Sequence, residues 1–215
     1  TSVELTMPSG VSSVDVPSFK DFDSLTELAL RGFGGTDLTF LAGATSLKVL
    51  KLSDCRELQS LSGLGGCTAL TGLTISSCPK LRDVAALGDL PHLAESPGDI
   101  FGGETLCLDF PEGVSNLDFV SGLKALKRIR LRLAPGADLR PFAQSPWVTS
   151  VDLKLPSWNQ DLAGLNQCER VDLVCDDESG THDWRYDFPR LQSLEIRGGQ
   201  HDFSSLKAPL LAEAR

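Results

Sequence analysis

Hydrophobic positions recur along this chain with a period close to 22 residues, and each period carries the same internal spacing. Leu47-Lys48-Val49-Leu50-Lys51-Leu52-Ser53-Asp54-Cys55 reads LxxLxLxxC, and Leu58, Leu61 and Leu64 continue it in steps of three. The pattern returns 23 residues later at Leu70, Leu73, Ile75 and Cys78, with Leu81, Val84, Leu87 and Leu90 behind it. Leu25, Leu28 and Leu30 fit the same frame earlier in the chain. Gly103, Leu106 and Leu108 fit it with the first leucine lost. Later frames open on Leu126, Ile129 and Leu131, on Val148, Val151 and Leu153, on Cys168, Val171 and Leu173, and on Leu191, Leu194 and Ile196. Val3 and Leu5 read as the tail of one more unit, so the count is eight full frames and a partial one.

The period-2 LxL places two apolar side chains on one face of a short strand. One such strand cannot bury that face alone. Stacked copies can, as parallel strands over a continuous core. Apolar residues at every third position suit a tight, 3₁₀-like or irregular return segment.

The repeat resembles the leucine-rich repeat superfamily in its short class, in a variant with cysteine after the strand at Cys55 and Cys78. That resemblance covers nearly the whole chain. It implies an α/β solenoid: a horseshoe with a parallel concave β-sheet and 3₁₀ or irregular convex segments. The cysteine variant also looks like the repeat arrays of nucleotide-binding, leucine-rich immune-type receptors, whose ATPase residues have no counterpart here. Residues 1–215 read as one repeat domain, with a partial first repeat over 1–24 and an end over 204–215 that looks cut short. The apolar tail Leu206–Leu211 is the alternative to truncation, as a makeshift cap.

The pattern breaks in three places, the third being Pro156-Ser157-Trp158-Asn159 just past a strand. A Pro- and Gly-rich loop insertion falls at about 94–102, where a functional loop and a tolerated excursion are both open. From Asp176 to Phe188 the period holds, but charges and aromatics replace leucines. Trp184 and Phe188 are expected to stand in for return-segment leucines. Trp158 lies outside the leucine positions and is expected on the exposed surface.

Residues between the leucines of LxxLxL face away from the core and line the concave sheet. In the first half these are mainly small or polar: Ala29, Arg31, Lys51, Ser53, Thr74, Ser76, Cys107 and Asp109. In the second half they are mainly charged: Arg130, Arg132, Asp152, Lys154, Asp172, Val174, Glu195 and Arg197. Lys127 and Arg128 add cations beside Arg130. Lys51, Thr74, Asp109, the charged residues of the second half, Lys127, Arg128 and Trp158 form the candidate partner-binding set. Adjacent strands lie about 4.8 Å apart, so Arg130 can pair with Asp152 and Arg132 with Asp109. Two readings stay open: a ladder of solvated ion pairs, or a docking patch for an acidic or phosphate-bearing partner.

Composition narrows the partner. A formal net charge of -9 argues against nucleic acid and against an anionic membrane surface. No apolar run is long enough to span a bilayer. The six cysteines have no CxxC pair, so neither a disulfide framework nor a zinc site is read from them. Reduced, mostly buried thiols suggest a cytoplasmic protein. Cys107 is the one expected to face solvent. His92, His182 and His201 fall in no metal or triad spacing, and no phosphate-binding or nucleophile motif is present. The expectation is therefore a non-enzyme without cofactor that recognises protein through its concave face. Two alternatives are a sensing or autoinhibitory segment of a larger NTPase-type receptor, and the substrate-binding part of an effector enzyme whose catalytic domain is absent.

Overall fold

A computed structural model describes residues 2–6, 24–94, 105–108, 113–175, 177 and 181–214. The strands of the main stack are β1 (Ser2–Thr6), β2 (Glu27–Arg31), β3 (Val49–Ser53), β4 (Gly72–Ser76), β5 (Thr105–Leu108), β6 (Arg128–Arg132), β7 (Ser150–Leu155) and β8 (Arg170–Cys175). Next come β9 (Thr181–Asp183), β10 (Ser193–Arg197), β11 (Gln200–Asp202) and β12 (Glu213–Ala214). All pairings between them are parallel. One sheet runs β1-β2-β3-β4, a second runs β5-β6-β7-β8-β10-β12, and β9 with β11 makes a separate two-stranded ribbon.

The register follows the leucine frame. Val3, Leu28, Leu50 and Leu73 stand side by side across the first sheet, and Leu5, Leu30, Leu52 and Ile75 form the next row. Leu106, Ile129, Val151, Val171 and Leu194 make the corresponding row in the second sheet. Most members of these rows are buried in one continuous core. The stacking thus covers what no single unit could cover.

The return segments are 3₁₀ turns at Thr39–Leu41, Leu64–Gly66, Ala85–Asp89, Asp118–Gly122 and Ala163–Leu165, with one short helix, α1 (Arg140–Ala143). A recurring side-chain device opens them. Asp37 Oδ1 accepts the Thr39 N–H at 3.0 Å, Asp83 Oδ1 that of Ala85 at 3.1 Å, and Asn116 Oδ1 that of Asp118 at 2.8 Å. Asp138 and Asp161 do the same for Arg140 and Ala163. Each is an Asx turn, satisfying a backbone donor that the tight turn leaves unpaired.

No ladder joins β4 to β5 among the described residues. The loop insertion expected between them lies almost wholly outside those residues, as do Asp109 and residues 7–23 of the first repeat. The convex side nevertheless continues past this point. A Cβ on Gly122 would sit 1.8 Å from the Gly88 carbonyl oxygen, so the two turns touch backbone to backbone.

Five cysteines are free and buried, namely Cys55, Cys67, Cys78, Cys168 and Cys175. Cys55 and Cys78 donate to the Ser53 and Ser76 carbonyls, each at 3.4 Å, from identical turns in which Asp54 and Ser77 adopt φ 55°. Burial pushes the Cys67 thiol up to about 11. The side chain of Cys107 lies outside the described residues.

One feature differs from expectation. Trp158 is only 3% exposed and belongs to the core. It departs from the leucine frame because β7 runs on to a third buried position, Leu155, as the chain does at Leu133 and Cys175 in the units before and after, which shifts the apolar positions that follow. Beyond Ile196, Leu211 is half-buried against the core and β12 pairs with β10. Trp184 and Phe188 are fully buried, in the leucine-replacing role expected of them.

Candidate functional site: the charged concave sheet

Strands β6, β7, β8 and β10 present three parallel rows of outward residues. The middle row is Arg130, Asp152, Asp172 and Glu195, in register. Nearer the C-terminal strand ends run Arg132, Lys154, Val174 and Arg197. Nearer the N-terminal ends run Arg128, Ser150, Arg170 and Ser193. An acidic stretch is therefore bordered on both sides by cations. Strand alternation produces this arrangement, since only every second residue can leave the core.

Arg130 Nε donates to Asp152 Oδ2 at 2.6 Å, with the two side chains 34% and 26% exposed. This is the cross-strand pair expected from the sequence. Arg197 Nε donates to Glu195 Oε1 at 3.0 Å along its own strand. Arg132 stands opposite Lys154, and its expected partner Asp109 lies outside the described residues. Asp172 occupies the centre of the acidic stretch and is half-buried. Burial, first, and then the neighbouring charges of Asp152 and Glu195 hold its carboxyl above the ordinary carboxylate range, against the pull of Arg170 and Arg197.

The other expected site residues scatter. Lys51 and Thr74 stand opposite each other on β3 and β4, apart from the charged rows. Lys127 precedes β6 and is exposed; its carbonyl accepts the Thr149 N–H. Trp158 is removed from the surface set by its burial. On the convex side, Asp118, Ser121, Asp138, Arg140, Pro141 and Gln144 line an open hollow of about 360 Å³. Its principal charges satisfy each other, Arg140 Nη2 lying 2.6 Å from Asp138 Oδ2. Among the described residues, no group of three or more His, Cys, Asp or Glu is placed to hold a metal ion. No helix there is long and apolar enough to cross a membrane.

A second feature was not read from the sequence. Trp158, His182, Trp184, Tyr186, Phe188, His201 and Phe203 form one aromatic cluster around the β9–β11 ribbon. Ring centroids are 4.5 Å apart for Trp158 and His201, 5.4 Å for His182 and Trp184, and 5.4 Å for Trp184 and Phe203. Tyr186 stacks on His182 at 5.9 Å, and its hydroxyl accepts the Leu162 N–H at 3.3 Å. The available signal was the offset of 19 residues between His182-Asp183 and His201-Asp202, which marks two corresponding strands.

No protein-family model matches the chain, and no curated protein matches it in sequence. Solved structures do match. An internalin C2 of Listeria monocytogenes is 20% identical with a TM-score of 0.56, over 87% of this chain and 76% of that one. The internalin InlF of the same organism is 16% identical with a TM-score of 0.53, over 91% and 68%. The leucine-rich repeat domain of APL1B is 17% identical with a TM-score of 0.52, over 94% and 66%. Identities this low speak to architecture, and together with the parallel strand stack and the 3₁₀ returns they show that this chain has the leucine-rich repeat solenoid fold.

Proposed function

We propose that this chain is a protein-recognition module, binding rather than catalytic, whose contact surface is the second half of the concave sheet. The observation that carries this reading is the half-buried carboxylate of Asp172, set between two further carboxylates. A sheet under no demand beyond folding gains nothing from an unfavourable charge there. A partner presenting basic groups to the acidic stretch and acidic groups to the flanking cations would relieve it.

Charged rim contacts govern partner choice and association rate more than raw affinity. The test is a binding titration with a partner isolated on the wild-type chain, repeated with Arg130→Glu, Arg132→Glu and Asp172→Lys. Loss of binding with retained circular dichroism supports the reading. Unchanged binding by all three variants removes it.

TLR13 in its complex with ssRNA13 is also similar in fold, at 16% identity and a TM-score of 0.51 over 92% of this chain and 32% of that one. For this chain the acidic middle row and the net charge of -9 favour a protein over a nucleic acid. The buried free thiols support a reducing, cytoplasmic setting. A sensing segment of a larger NTPase-type receptor would use the same concave surface, with the partner supplied within one polypeptide.

A further inference from the structure

We propose that His182 and His201 form a proton-sensitive latch on the β9–β11 ribbon, such that a proton taken up by either ring releases the ribbon from Trp158 and Trp184.

Register is the first support. His182 stands directly opposite His201 on the neighbouring parallel strand. Adjacent strands are about 4.8 Å apart, so two imidazolium rings there would repel as like charges.

Hydrogen bonding is the second. His201 Nε2 lies 2.8 Å from the Gly198 carbonyl oxygen, and His201 Nδ1 lies 3.3 Å from Trp184 Nε1. A carbonyl only accepts and an indole N–H only donates, so the partners assign a neutral ring with its hydrogen on Nε2. A proton added at Nδ1 would turn an acceptor into a donor facing the indole donor. The side-chain bond between β11 and the Trp184 indole would then be lost, leaving the Trp184 N–H on the Asp202 carbonyl as the remaining tie.

Enclosure is the third. His182 is 9% exposed, and its Nε2 has no hydrogen-bond partner among the described residues. The rings of Trp158, Trp184 and Tyr186 surround it at centroid distances of 6.2, 5.4 and 5.9 Å. A proton on Nε2 would create a cationic donor in an aromatic cage with no acceptor. The face of Tyr186 offers some cation–π compensation but no acceptor.

Burial, as the largest influence, holds His182 below the ordinary histidine value of 6.5, and the nearby His201 adds to this. A hydrogen bond with the Trp158 backbone and the Asp183 charge oppose it. Asp183 is itself engaged by Arg185 Nε at 2.5 Å. On β11, Asp202 is held below the carboxylate range by the Ser204 N–H and hydroxyl and, more weakly, by Arg185. Asp161 acts on Tyr186. The sign follows. An unfolded histidine takes its proton first, so this contribution to stability is complete above about pH 6.5. It is lost as pH falls through the lower folded value.

Amide hydrogen exchange, corrected for intrinsic rates, tests the latch on the full chain between about pH 7.5 and about pH 5.5. Protection at residues 181–183 and 200–202 should fall by up to about tenfold per pH unit below the histidine range, while β7 and β8 hold theirs. The double variant His182→Asn, His201→Gln should abolish that selective loss. An equal loss in the double variant, or a wild-type ribbon no more sensitive than β7, overturns the proposal. Should the double variant not fold, wild-type imidazole NMR decides. Ring signals that titrate together with the ribbon amides support the latch, and amides that stay unmoved while the rings titrate overturn it.

Discussion

Asp172 stands directly opposite Asp152 on the neighbouring parallel strand, carboxylate beside carboxylate in the middle of the concave sheet. Glu195 flanks it on the other side. Burial and these two charges raise the Asp172 carboxyl above its ordinary value of 3.8. A raised folded value means that the folded state holds the proton more tightly than the unfolded state. Stability is therefore lost as pH rises from about 3.8 through the folded value, and the penalty is complete above it. Asp172→Asn should stabilise the chain at neutral pH by up to about 1 kcal/mol, the scale of one like-charge contact at a partly exposed site. The gain should vanish below about pH 3.8. Urea denaturation of both chains across pH checks it, and a variant that loses stability at pH 7 contradicts it. If Asp172 serves the partner, the same variant should bind more weakly.

Arg130 and Asp152 make a cross-strand ion pair on the concave sheet, at 2.6 Å. The two side chains remain 34% and 26% exposed, so water screens the pair. A double-mutant cycle with Arg130→Ala and Asp152→Ala should give a coupling of about 0.5–1 kcal/mol, reduced in high salt. A coupling well above that range would show that the pair is structural, leaving it little freedom to exchange partners on binding.

The leucine frame was fully legible because it is a burial pattern, and burial is what fixes register in a stack of parallel strands. Arg130 and Asp152 were paired correctly for the same reason: register turns sequence offset into adjacency. Trp158 was misplaced because the frame gives each strand two buried positions, and β7 carries a third at Leu155. The β9–β11 ribbon was hidden because three-residue strands carry no periodicity of their own. The Asx turns at Asp37, Asp83, Asn116, Asp138 and Asp161 were in view as a periodic acid or amide. They carry no apolar period, so the leucine frame does not reveal them.

Trp184 tests the aromatic cluster as core. It is fully buried, and its Nε1 donates to His201. Trp184→Ala should cost about 3–5 kcal/mol, the usual range for removing a buried aromatic. Trp184→Phe keeps most of the volume but strands the His201 Nδ1 acceptor, for a loss of about 1–3 kcal/mol. Thermal denaturation of the two variants separates packing from the hydrogen bond. An unchanged midpoint in Trp184→Phe would mean that the Trp184–His201 bond contributes nothing measurable.

Gly122 leaves no room for a methyl group. Its missing Cβ would lie 1.8 Å from the Gly88 carbonyl oxygen and 2.8 Å from the Gly88 Cα. Both are backbone atoms, so no rotamer change can make room. The contact joins the return turn of the β4 unit to that of the β5 unit, where no strand ladder bridges the two sheets among the described residues. Gly122→Ala should therefore force the turns apart and destabilise the chain by more than about 2 kcal/mol, with the loss concentrated at this junction. Gly136→Ala is the control. Its φ is 75° and nothing lies within 4 Å of the added methyl, so strain in the left-handed region alone should cost about 1–2 kcal/mol. Denaturation together with limited proteolysis distinguishes the two. Because repeats interact only with their neighbours, the Gly122 variant should unfold in two steps that separate at the junction. The Gly136 variant should keep the wild-type transition shape at a lower midpoint. A single sharp transition in Gly122→Ala, at the wild-type midpoint, would show that the two halves do not depend on that backbone contact.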